Sequence, residues 1–225
     1  MSYPSDPVPA ENAAPVVREK VDRLELVVAV LLGLAATLTA WAAFQGSLAG
    51  GDSQKEFTKA TLSSSEAGQW YDQGTQQNNA DQQQFIQYVI AAQDDDSGVP
   101  VYLRETVMDD NLVKAIEWWE KQPDDGADTP FDDVEGNPYT IEQWDKGEEM
   151  EKQAASENER GEFLDEYGDK FDGVTVLLAT ALFLFGIAAV FRGRKVRIGT
   201  LGVGAFLLFA SAVRLVDLGV YQWTA

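Results

Sequence analysis

The sequence predicts an all-α membrane protein with three transmembrane helices. A long extracytoplasmic helical hairpin joins the first to the second and carries a small helical cap. Three observations predict this. Residues 26–51, 173–191 and 198–213 contain no Asp, Glu, Lys or Arg and are rich in Leu, Val, Ala, Phe and Gly. Residues 46–172 hold 31 acidic against 9 basic side chains, in a chain of 225 residues whose net charge is −20. Both arms of that acidic insert carry small and apolar residues in alternating steps of three and four, the spacing of helices that pack side by side.

Taken in order, residues 1–23 are rich in Pro and Ala, show no periodicity, and read as a disordered cytoplasmic tail. Residues 24–46 form the first transmembrane helix, since a bilayer core takes about 20 apolar residues of helix. Ala40-Trp41-Ala42 also has the small-x-small form of a signal-peptide cleavage site, which is the competing reading; the apolar run continues past it. Residues 47–172 form the acidic extracytoplasmic domain, 173–191 the second span and 192–197 a basic cytoplasmic turn. Residues 198–218 form the third span and 219–225 an extracytoplasmic C-terminus. The third charge-free stretch is short and reaches spanning length only with Arg214 and Asp217 inside it.

Orientation follows from the basic residues. Arg18, Lys20 and Arg23 precede the first span, and Arg192, Arg194, Lys195 and Arg197 lie between the second and third. Lys and Arg near membrane segments stay in the cytoplasm. Both clusters therefore place the N-terminus inside and residues 47–172 outside. Trp41, Phe44, Tyr221 and Trp223 then fall on the outer side, where aromatic rings favour the headgroup layer.

Within the insert, Gly50-Gly51 permits a break or bend, and Ser53-Gln54-Lys55-Glu56 has the form of a capping box. The helix that follows runs to about Gln93 with one stripe: Phe57, Ala60, Ser64, Ala67, Tyr71, Gly74, Asn78, Asp81, Phe85, Tyr88 and Ala92. The returning arm opens on a second box, Thr140-Ile141-Glu142-Gln143, and carries Gly147, Met150, Ala154, Glu157, Gly161, Leu164, Gly168 and Phe171. No Pro interrupts 139–191, so the arm continues into the second span as one helix. Gly inside a helix costs roughly 1 kcal/mol against Ala, so Gly161 and Gly168 point to close backbone contact. Between the arms lie turn residues at 94–98, an amphipathic helix over 106–121 with Val107, Leu112, Ala115, Ile116 and Trp119 on one face, and an acidic loop over 123–138.

Composition excludes much chemistry. The chain has no Cys and no His, which removes Cys and His nucleophiles, the usual zinc sites, iron–sulfur clusters and disulfides. Carboxylate-only catalysis is not removed by residue type, but acids are too numerous for any pair to stand out. An acidic face does not bind nucleic acid. Asp124, Asp128, Asp132 and Glu135 are weak divalent-cation candidates; Gly126 and Thr129 break the EF-hand pattern. Arg214 and Asp217, three apart on one helix face, read either as an intramembrane polar pair or as interfacial residues with Arg214 snorkelling. Gly33, Ala36 and Ala40, and Gly199, Gly202, Gly204 and Ala205, have the character of close-packed span faces. Eight Gln fall between 69 and 87, where buried amides would fix a partner and register. The expected interaction residues are Trp70, Tyr71, Phe85 and Tyr88, facing Gly161 and Gly168 across the seam, with Trp118 on the cap.

The element Ala67-Gly68-Gln69-Trp70-Tyr71-Asp72-Gln73, following an apolar span, resembles a group of uncharacterised bacterial membrane proteins of the domain-of-unknown-function kind. The resemblance covers roughly residues 24–90. It implies a bacterial envelope protein and transfers no catalytic or binding residue. The function expected is that of a non-enzymatic inner-membrane assembly or scaffold subunit without cofactor. It would sit in the lipid bilayer and self-associate or dock another envelope protein. The alternative is a subunit of an oligomeric channel or transport complex with a cation-attracting vestibule. A third reading is a cation sensor using the 124–135 loop.

Overall fold

A computed structural model describes residues 23–93, 98–123, 126–191 and 193–221. Residues 1–22 of the expected tail 1–23, turn residues 94–97, Asp124, Arg192 and Trp223 lie outside the described residues, and Arg23 belongs to α1. Every regular element among those described is helical: α1 (Arg23–Ala91), α2 (Val99–Tyr102) running into a π-helical turn (Leu103–Val107), α3 (Asp110–Trp119), α4 (Glu142–Val190) and α5 (Arg194–Leu218). Three of these, α1, α4 and α5, are long and apolar enough to cross a membrane. The chain forms two compact units, one from residues 1–47 with 169–225 and one from 48–168.

In the first unit, α1, α4 and α5 share one apolar core. Val28, Ala35 and Ala42 are seven apart on α1, and Leu201 and Leu208 are seven apart on α5. Val174, Leu178, Ala181, Phe185 and Ala188 alternate steps of three and four on α4. That is the period of a helix face held against neighbours. Gly204 is needed here, because a Cβ on it would stand 2.7 Å from the Phe185 ring. Ala205 also packs against this core, whereas the remaining small residues make no close contact within the chain. Gly33, Gly199 and Gly202 would meet nothing within 4 Å, and Ala36 and Ala40 are exposed. The face of α1 that packs is the adjacent one, 28–35–42. The remaining faces carry exposed Leu26, Val30, Leu34, Val176, Phe183, Phe206 and Phe209. Gly219 ends α5 at φ 72°, a conformation that glycine adopts without a Cβ clash. The basic turn is shorter than expected, since Arg194, Lys195 and Arg197 already belong to α5.

The second unit corrects the sequence reading at its start. Gly50-Gly51 does not break the chain: α1 is one helix from Arg23 to Ala91. Ser53 is mid-helix and caps nothing; its Oγ donates to the Gly161 carbonyl at 2.9 Å. Two glycines cost roughly 2 kcal/mol, too little to interrupt a helix packed on both sides of them. The second expected box fails too. α4 begins at Glu142, and the Asn111 carboxamide secures the approach, donating to the Thr140 carbonyl at 2.7 Å and accepting from its N–H. In the expected helix 106–121, residues 103–107 form a π turn instead and α3 starts at Asp110. Asp109 caps α3 by accepting from the Leu112 N–H at 2.8 Å. Leu112, Ala115 and Ile116 are fully buried as expected, whereas Val107 is exposed.

Candidate functional site

The second unit is organised around a seam of small residues. On α4, Gly147, Ala154, Gly161 and Gly168 are buried at intervals of seven. On α1, Ala49, Ser53, Glu56, Ala60, Ser63, Ala67, Gly74 and Asp81 are buried. Three aromatic rings lie on three glycines. A Cβ on Gly161 would stand 2.8 Å from Phe57, and one on Gly147 2.8 Å from Tyr71; one on Gly74 would overlap Trp144. The paired positions 57 with 161, 71 with 147 and 74 with 144 show the segments running in opposite senses in a single register. Hydrogen bonds follow that register. Ser63 Oγ donates to Glu157 at 2.8 Å, and the Tyr71 hydroxyl donates to Glu151 at 2.9 Å. The amide of Gln153 and the hydroxyl of Ser63 hold the Glu157 carboxyl below its ordinary range.

The expected interaction residues are therefore not one cluster. Tyr71 meets Gly147, and Phe57 occupies the place opposite Gly161. Trp70 is half-buried, with the Lys146 ammonium 4.9 Å above its ring. Phe85 turns into the distal core, edge-on to Trp119 at 5.3 Å and to Phe131 at 5.6 Å. Tyr88 donates to Glu120 at 2.6 Å and lies under Arg104, which also donates to Glu120. Trp119, not Trp118, supplies the indole of this core and donates Nε1–H to the Ala127 carbonyl at 3.0 Å. Trp118 is half-buried beside it. Of the eight glutamines, only Gln77 and Gln84 are partly buried; the others are exposed.

The least expected group is Asp81, which is 1% exposed on a mostly polar helix. It accepts from Gln77 Nε2 at 2.8 Å and from the Tyr139 hydroxyl at 2.9 Å. Burial raises its pKa, the two hydrogen bonds oppose that rise, and the nearby Asp109 adds to it. Burial and the Asp81 carboxylate together push the Tyr139 phenol well above its ordinary value. Tyr139 is also edge-on to Phe131 at 4.9 Å and lines an open cavity of about 440 Å³ with Asn78, Gln82 and Trp144. Asp81 stands in the sequence stripe; its partner 58 residues away has no local signal.

The acidic loop turns its carboxylate inward. Asp132 accepts from the Asp128 and Thr129 N–H groups and from Thr129 Oγ at 2.6 Å, so both of its oxygens hold the loop itself. Asp128 and Glu135 are exposed. Among the described residues, no three acidic side chains converge as metal ligands. In the first unit, Arg214 and Asp217 line a groove with Lys170, Val174 and Leu177. The chain matches no family model, no curated protein and no solved structure.

Proposed function

We propose that this chain is a non-enzymatic, multi-pass protein of the bacterial inner membrane. Its N-terminus is cytoplasmic, and residues 47–172 form an extracytoplasmic helical hairpin with a small cap. Its role is assembly: it self-associates or docks another envelope protein through that hairpin. The partition of charge supports the orientation, with basic residues beside the spans and 31 acids in the insert. The apolar outer faces of α1, α4 and α5 support lipid contact, since patches of that extent are not left in water.

The observation that carries the assembly role is what the seam leaves over. Leu62 on α1 and Phe163 on α4 are each 66% exposed, the most exposed large apolar side chains among the described residues of the 48–168 unit. The seam is already filled by small residues and their aromatic covers, and these two side chains stand mostly outside it. A photo-activated cross-linking residue at position 62 or 163, irradiated in native membranes, is expected to trap a dimer or a defined heterologous adduct. Monomer alone from both positions would remove the assembly role. The absence of Cys makes orientation directly measurable. Asp133→Cys is expected to react with a membrane-impermeant maleimide on intact spheroplasts, and protection until lysis would invert the topology.

A further inference from the structure

The groove between α4 and α5 joins features that the sequence keeps 44 residues apart: Lys170 on α4 and Arg214 on α5. Gly173, Val174, Leu177 and Leu218 form its apolar lining, and Asp217 is its one carboxylate. Lys170 lies three residues before the charge-free stretch of α4, and Arg214 is the first residue after that of α5. Both cations therefore stand where an apolar helix meets polar chain, the depth of a headgroup. The apolar lining continues toward the exposed Leu177 and Val176.

We propose that this groove holds the headgroup of an aminophospholipid, one bearing a phosphodiester and a primary ammonium. The Arg214 guanidinium and Lys170 ammonium take the phosphate; a guanidinium presents paired donors suited to it. Asp217 takes the lipid ammonium, which donates hydrogen bonds as a quaternary trimethylammonium cannot. The acyl chain nearest the headgroup lies on Val174 and Leu177. Charge selects this lipid over a net-anionic one. A headgroup without an ammonium would leave the Asp217 carboxylate unpaired beside the phosphate, whereas the zwitterion meets all three charges of the groove.

This inference rests on α4 and α5 spanning a bilayer, and the experiment separates the two. The full chain is extracted in mild detergent and titrated by native mass spectrometry with phosphatidylethanolamine, phosphatidylglycerol and phosphatidylcholine. Phosphatidylethanolamine is expected to bind best. Arg214→Gln is expected to weaken it about fivefold, the equivalent of the ~1 kcal/mol of a basic residue at a membrane surface. Asp217→Asn is expected to abolish the preference for the ethanolamine lipid over the choline lipid while leaving phosphatidylglycerol bound at least as well. Circular dichroism of each variant checks that it is folded. Equal binding of the three lipids, a preference for phosphatidylglycerol, or competition by free phosphoethanolamine at the same concentration as lipid would overturn the proposal. A chain that stays in membranes after carbonate washing yet shows no headgroup preference loses only this inference. A chain that dissolves without detergent loses the membrane reading as well.

Discussion

Gly161→Leu is expected to lower the stability of the 48–168 unit by about 2–3 kcal/mol, the range for forcing added volume into a filled contact. The Cβ alone would stand 2.8 Å from two atoms of the Phe57 ring. A Leu side chain adds three more carbons beyond that Cβ, so movement of the half-buried ring alone does not make room. Backbone separation would have to increase, and with it the 2.9 Å bond from Ser53 Oγ to the Gly161 carbonyl. Gly68→Leu is the matched control. A Cβ there meets nothing within 4 Å, so that substitution should be neutral or stabilise by up to about 1 kcal/mol through helix propensity alone. Thermal melts followed by circular dichroism in mild detergent separate the two, with the Gly161 variant melting roughly 10 °C lower. Adding Phe57→Ala should recover part of that loss, because the two changes share one contact and their effects do not add. Leu variants that melt alike at 68 and 161 would show that no close helix contact exists at Gly161.

That contrast also marks what could be read in the sequence. On α4 the seam was fully legible. Every second position of its stripe is Gly or Ala, and repeated glycine inside a helix has few explanations besides close approach. On α1 it was half legible. Phe57, Ala60, Ala67, Tyr71, Gly74 and Asp81 of the stripe are buried or lie against α4, but Ser64 is exposed, and Glu56 and Ser63 are buried beside the stripe instead. Glu56 and Ser63 do not look like contact residues by composition. They are buried because their polar ends find partners, Lys59 for Glu56 and Glu157 for Ser63. The break that Gly50-Gly51 permits does not occur, for a different reason. Local glycine cost is small against a helix ladder that packing supports on both sides. The groove of Lys170 with Arg214, and the bond of Asp81 with Tyr139, join residues that no local pattern relates. The former exists only because α4 and α5 lie side by side.

Tyr139→Phe is expected to cost about 2–3 kcal/mol at neutral pH, because it removes one of two donors to a buried charge. The ring itself would keep its edge-on contact with Phe131, so the loss reports the hydroxyl and not packing. The pH dependence gives the sharper test. Asp81 has its pKa raised by burial above the ordinary 3.8, against the two hydrogen bonds it accepts. The native state therefore takes up this proton at a higher pH than the unfolded chain does. Stability from this group increases as pH falls through the raised value, and levels off below the unfolded pKa of about 4. Asp81→Asn keeps the shape and the acceptor for Tyr139 while removing the charge. It should be at least as stable as the parent at pH 7, and its advantage should vanish near pH 4. The cost of Tyr139→Phe should shrink over the same interval, since a protonated Asp81 no longer needs a donor to offset its charge. Glu157 acts with the opposite sign: its pKa is lowered by Gln153 and Ser63, so its contribution is lost in acid. Comparing each variant with the parent at the same pH removes that background. A Tyr139→Phe penalty that is identical at pH 7 and pH 4 would mean that Asp81 carries no buried charge, and that the hydroxyl serves only as a neutral bond.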